Sequence, residues 1–189
     1  MKKTLNFISE AGMLKRLPRS GWAVLGIKDA ESVAEHSFRC AVLGYVLARM
    51  EGVEPYKVLL MTLFNDIAEA RTGDLHKMAQ KYLATQSAEE RVFREQITGL
   101  PGALAKELGQ MRREYQQQKS RESLIARDAD ILECLIQAKE YQEHGFSQAA
   151  KFMKAAPGFL VTKAARKLWG AAKKTPLNNW WLGLSRFKR

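Results

Sequence analysis

Apolar residues recur at helical spacing along most of the chain, and strand-like alternation is nearly absent. Residues 4–16 place Leu5, Ile8, Met13 and Leu14 near one helical face, and Pro18, Gly21 and Gly26 then mark a loop. Ser32 followed by Glu35 forms a capping-box pattern, predicting a helix that runs to about Met50 and stops at Gly52. Its inward set is Val33, Phe38, Val42, Leu43, Val46 and Leu47. A second helix is expected from Glu54 to Arg71, and its centre, VLLMTLF, is apolar all round, as in a buried central helix. Shorter helices follow at 75–83 and 87–98, the latter capped by Ser87, and a weakly amphipathic one at 103–118. A long helix at 121–144, then 147–155 and 162–172, complete the pattern. With no repeat, low-complexity tract or linker, the expectation is an all-α, single-domain helical bundle over 1–189.

Composition changes this picture little: of 189 residues 46% are hydrophobic and 27% charged, an ordinary globular balance. No apolar run approaches the roughly 18 residues of a membrane span. Glu10, Asn6 and Ser9 interrupt any signal-peptide core, so no membrane association and a cytoplasmic location are expected. Cys40 and Cys134 read as small core residues, not a disulfide framework. The net charge of +11 is localised, because residues 151–189 hold ten Lys/Arg and no acid. Such a run chiefly favours solubility. With Trp180, Trp181 and Phe187 it also offers a possible stacking surface for nucleic acid, against the alternative that the tryptophans pack the C-terminus onto the bundle.

The chemistry is concentrated at three anomalies. Asp66 interrupts the most apolar helix, with Glu69 one turn further on; Asp128 and Asp130 interrupt the long helix, with Glu133 after them; and His36 sits on an apolar helix. A buried carboxylate is costly unless a cation, a hydrogen-bond network or a metal compensates it. Each residue alone has an ordinary structural explanation. Three helices bringing an imidazole and carboxylates toward a shared core give the mixed donor set that a divalent cation takes.

Four blocks, LKRLPRSGW (14–22), SVAEHSFR (32–39), NDIAEARTGD (65–74) and ARDADILE (126–133), resemble the 5′-deoxynucleotidase branch of the HD-domain phosphohydrolases. The likeness covers roughly residues 4–145, with a metal-site core at about 32–145 and a basic helical part at 146–189. It implies an HD-type bundle, one divalent metal ion (Mn, Co or Mg) held by His36, Asn65, Asp66 and Asp130, and a homodimer. Glu69 corresponds to the family's catalytic carboxylate, which orients or deprotonates water, and Asp74 to a second assisting acid. Arg19 and Trp22 correspond to a loop that recognises a deoxynucleoside monophosphate, the guanidinium taking the phosphate and the indole covering sugar or base. Core packing is the alternative for Trp22. Lys15, Arg16 and Arg39 are further cations near the same site.

Position 65 is Asn where the family carries the His of its His-Asp pair. Asn offers an amide oxygen, a weaker donor than imidazole to softer metals. Three origins stay open: an engineered loss, a natural variant working with a harder metal, or a nucleotide-binding relative without turnover. His36, Asp66, Glu69, Asp74 and Asp130 are all retained, which favours loss at one ligand only. His76 lies past the turn and is expected to be exposed. The expected activity is hydrolysis of deoxyribonucleoside 5′-monophosphates. Triphosphohydrolase or cyclic-nucleotide phosphodiesterase chemistry, or a non-catalytic nucleotide- or nucleic-acid-binding role, are the alternatives.

Overall fold

The computed structural model describes residues 1–184, so Phe187 lies outside the described residues. It contains α1 (Lys2–Met13), α2 (Ser20–Ala23), α3 (Val33–Glu51), α4 (Pro55–Phe64), α5 (Glu69–Thr72), α6 (Lys77–Gln80), α7 (Thr85–Ile97), α8 (Gly102–Gln117), α9 (Arg121–Glu143), α10 (Ala150–Ala155) and α11 (Lys163–Ala172). Short 3₁₀ turns join several of them, and the described residues hold no strand, only an isolated bridge between Pro18 and Ser32. No described helix is long and apolar enough to cross a membrane.

The bundle is built on α3, α4 and α9. Leu43 and Leu47 of α3, Val58 and Met61 of α4, and Ile125, Leu132 and Leu135 of α9 share one core with Trp169 of α11. Close packing of α3 on α4 depends on Gly44, where a Cβ would meet Thr62 Cγ2 at 2.9 Å and Val58 Cγ1 at 3.1 Å. A second cluster joins Phe7, Leu14, Val33, Ile67 and Phe93, and a third gathers Trp22, Ile27, Tyr141 and Ala149.

The capping box at the start of α3 forms as expected, with Ser32 Oγ accepting from Glu35 N and Glu35 Oε2 accepting from Ser32 N. Gly52 ends the helix with φ 67°. The inward set does not hold throughout. Val33, Leu43 and Leu47 are buried, but Phe38 is 69% exposed, and Val42 and Val46 also face outward. A helix apolar on every side has more apolar surface than α4 and α9 can cover. On α1 likewise, Phe7 turns inward, as does Leu14 just after it, while Leu5, Ile8 and Met13 are exposed.

The continuous helix expected over 54–71 is broken. Helix α4 ends at Phe64, residues 65–68 continue as tight turns, and α5 starts at Glu69. The break is held by Arg112 of α8, whose Nη1 donates to the Asn65 carbonyl at 2.6 Å and satisfies an acceptor at the helix C-terminus. Nor is α4 buried all round, since Leu63 is exposed. Helix α7 begins two residues before Ser87, whose hydroxyl donates to the Ala84 carbonyl and does not cap. His76 is half-buried, and its Nδ1 caps α6 by accepting from Ala79 N. Trp180 and Trp181 are exposed, so packing of the C-terminus through them is not observed.

Candidate functional site

His36 stands on α3, one helical turn after the Ser32 cap, and is 1% exposed. Its Nδ1 faces Glu133 Oε2 of α9, and Arg39 donates to the other oxygen, Glu133 Oε1, at 2.9 Å. Arg39 also binds Gln137 and Glu140, so the Glu133 carboxylate is fixed from two sides. That arrangement sets the ring and turns Nε2 toward the carboxylates, the manner in which a carboxylate behind an imidazole orients a metal ligand. Nε2 lies 3.2 Å from Asp130 Oδ1 and 3.5 Å from Asp66 Oδ2. Three elements therefore meet at one nitrogen: α3, the turn after α4, and α9.

Arg19 approaches from the loop before α2. Its Nη1 is 3.8 Å from Asp66 Oδ2, its Nε 3.6 Å from Asp74 Oδ2, and its Nη2 3.4 Å from Cys134 Sγ. The backbone is anchored at this point by two successive amides, Arg19 N to the Glu31 carbonyl at 2.9 Å and Ser20 N to Asp74 Oδ2 at 3.0 Å. Asn65 sits beside the cluster, its amide nitrogen donating to Asp66 Oδ1 at 2.8 Å.

The electrostatics are those of an acid-rich buried pocket. Burial disfavours a charged His36, yet Cys40, Asp130 and Glu133 around it raise its pKa well above the usual histidine value. Burial also opposes ionisation of Asp130, but the His36 hydrogen bond, helped by Arg127 and Arg19, holds it below the ordinary range. Asp66 is raised by burial, with Asp130 and Asp74 adding to the effect. Glu69 is pushed up to about 10 by burial and by the charges of Asp66 and Asp74, and its Oε2 is buried without a hydrogen-bond partner. An unpartnered buried carboxyl oxygen is rare and marks a group kept for something other than packing.

The sequence-predicted residues are thus sorted by position. His36, Asp66, Asp130, Arg19 and Asp74 come together, Asn65 lies next to Asp66, and Glu69 shares the electrostatic field of Asp66 and Asp74. Trp22 does not face this cluster. It is 2% exposed, packs on Tyr141 and Phe152 with ring centroids 5.1 and 5.0 Å away, and donates its indole N–H to Glu31 Oε1. A buried ring on two aromatic partners cannot cover a sugar or a base, so its placement is that of core packing. Lys15 and Arg16 are exposed, while Arg39 is spent on Glu133 and Glu140. Asp128 is withdrawn as well, since it accepts from Val161 N, Thr162 N and Thr162 Oγ1 and ties α9 to the start of α11.

Three groups near the site were missed by sequence reasoning: Glu31, Glu133 in its orienting role, and Cys134. Glu133 had a signal, one turn past Asp130. Glu31 had none, because its burial depends on Trp22 and Tyr141. Burial and the neighbouring Glu133 raise Glu31 to about 7 from 4.5. The folded state therefore holds this proton more tightly than the unfolded chain. The stability it contributes is complete below 4.5 and lost as pH rises to about 7. Glu31→Gln keeps the acceptor for Trp22 and removes that loss. In chelator-treated protein it should raise the melting temperature above neutral pH and leave it nearly unchanged in mild acid. An equal shift at both pH values would contradict the assignment.

A helical bundle that brings one imidazole and two carboxylates together from three elements offers a donor set of the kind a divalent ion takes. The HD domain family model matches residues 11–169, and the chain belongs to that family. The 5′-deoxynucleotidase HDDC2 of Danio rerio is 33% identical over 144 residues, covering 76% of this chain and 72% of that protein. The human protein of the same name is 32% identical over 143 residues, covering 75% and 70%. Among solved structures, a conserved hypothetical protein from Pyrococcus furiosus superposes with a TM-score of 0.76 at 30% identity, covering 90% of this chain and 99% of that one.

Proposed function

We propose that this chain is a metal-dependent 5′-deoxynucleotidase, releasing inorganic phosphate from deoxyribonucleoside 5′-monophosphates. The observation that carries this reading is His36 Nε2 at 3.2 and 3.5 Å from carboxylate oxygens of Asp130 and Asp66. Ligand atoms that share a cation at about 2.0–2.2 Å lie roughly 3 Å apart, and Nε2 stands near that spacing from each of the two carboxylates. An imidazole nitrogen with carboxylate oxygens suits Mn²⁺, Co²⁺ or Zn²⁺. The names of the relatives support the substrate class.

The residues divide the work. His36, Asp66 and Asp130 would hold the ion, with the Asn65 amide oxygen at hand beside Asp66. When bound, the ion polarises a water and a phosphate oxygen. Glu69 would orient the attacking water through its buried, unpartnered Oε2, and in its ionised form would take that water's proton. Arg19 neutralises charge on the phosphate, and Asp74 holds Arg19 and the Ser20 amide in place. Glu133 keeps His36 in one orientation.

Chelation of the loaded protein should abolish phosphate release, and readdition of a divalent ion should restore it. Release that persists after exhaustive chelation would end this reading. Triphosphate as product from a deoxynucleoside triphosphate, or ring opening of a cyclic nucleotide without monophosphate hydrolysis, would instead assign the neighbouring chemistries of the family.

A further inference from the structure

Two thiols flank the imidazole of His36. Cys40 Sγ is 3.4 Å from Nε2, and Cys134 lies one turn past Asp130 on α9. Ligand atoms of His36, Asp130 and Cys134 all lie within 4.8 Å of one another. At metal–sulfur and metal–nitrogen distances of about 2.0–2.3 Å, three atoms so spaced reach one ion with side-chain adjustment alone. Cys134 Sγ accepts from Arg19 Nη2 at 3.4 Å; burial pushes this thiol up to about 11 despite the guanidinium, so the cation itself displaces the proton on binding. Cys40 Sγ is also near Nε2, but it completes a different set. The set it completes needs Glu133, whose oxygens are already held by His36 and Arg39.

Position 65 supplies the reason to look for another donor. An amide there, with its nitrogen turned to Asp66, leaves the cluster with a single imidazole. A thiolate is the strongest unused donor within reach.

We propose that Cys134 is a metal ligand in this chain, giving with His36 and Asp130 a thiolate-containing centre that takes Zn²⁺ in preference to Mg²⁺ or Mn²⁺. This rests on the metal-centre reading above and departs from its nitrogen–oxygen donor set. On binding, the Cys134 S–H bond breaks, the sulfur bonds to the ion, and the proton leaves to solvent, with no change of oxidation state. Thiolates discriminate strongly against hard ions such as Mg²⁺, so the metal preference follows from the ligand.

The test is the optical spectrum of chelator-stripped protein titrated with Co²⁺, a coloured stand-in for Zn²⁺. The expected result is one Co²⁺ per chain and a sulfur-to-cobalt charge-transfer band in the near ultraviolet. Zn²⁺ should displace that band, Cys134→Ala should abolish it, and Cys40→Ala should leave it in place. Stoichiometric Co²⁺ without the band, or a band that survives Cys134→Ala, would overturn the thiolate ligand and leave the metal centre standing. No bound Co²⁺ would overturn both. Alkylation of the unmutated chain gives a check independent of any variant's folding. Zn²⁺ should protect Cys134 as mapped by mass spectrometry, and equal labelling with and without Zn²⁺ would count against the proposal.

Discussion

Glu69→Ala lowers phosphate release by about 10²- to 10⁴-fold, the usual contribution of a positioned general acid or base. Metal content and fold should be unchanged. Glu69 opens α5 directly after the turn that carries Asp66, and the Arg112-held break at Asn65 is what points this short segment at the site. Its Oε2 is buried and makes no hydrogen bond, a state that costs about 1–3 kcal/mol and contributes nothing to packing. Alanine should therefore be neutral or slightly stabilising. Burial, with Asp66 and Asp74 adding to it, pushes the acid up to about 10, and compensating those two neighbours removes their share of the rise. Single-turnover phosphate release read beside thermal melting separates the two roles. A lower melting temperature with unchanged turnover would assign Glu69 to structure.

Asp128→Ala is expected to do the reverse. The carboxylate is 1% exposed and accepts from Val161 N, Thr162 N at 2.7 Å and Thr162 Oγ1 at 2.6 Å. Thr162 in turn caps α11, whose Trp169 lies in the main core. Truncation strands these donors together, at a cost of about 3 kcal/mol. For a chain of this size that lowers the melting temperature by roughly 6–12 °C. Turnover per folded molecule should stay close to that of the parent, because none of the partners of Asp128 belongs to the metal cluster. Turnover falling with stability intact would place Asp128 in the site.

Asp128 and Asp130 show where sequence reasoning stops. Both interrupt the same apolar pattern, two residues apart, and nothing local separates them. Only the partners do, Val161 and Thr162 for one and His36 and Arg127 for the other. What was legible was local or periodic: the Ser32–Glu35 capping box, the stop at Gly52, the long α9, and the spacing of His36, Asp66 and Asp130. What was not legible depended on distant residues. The break in α4 is made by Arg112, 47 residues away in sequence. Trp22 is buried by Tyr141 and Phe152. The outward turn of Phe38 and Val42 follows from how little of α3 its neighbours can cover. Both cysteines read as plain core residues, and only the fold shows that they flank His36.

The measurement that bears most directly on the account is phosphate release from deoxynucleoside 5′-monophosphates, with metal content, run side by side on this chain and on Asn65→His. Mg²⁺, Mn²⁺ and Co²⁺ would be supplied in turn to chelator-stripped protein. The account predicts metal-dependent release in both forms, with tighter metal binding and faster turnover once the imidazole is in place. If neither form binds metal or releases phosphate, the convergence of His36, Asp66 and Asp130 is not an active centre, and the account is wrong.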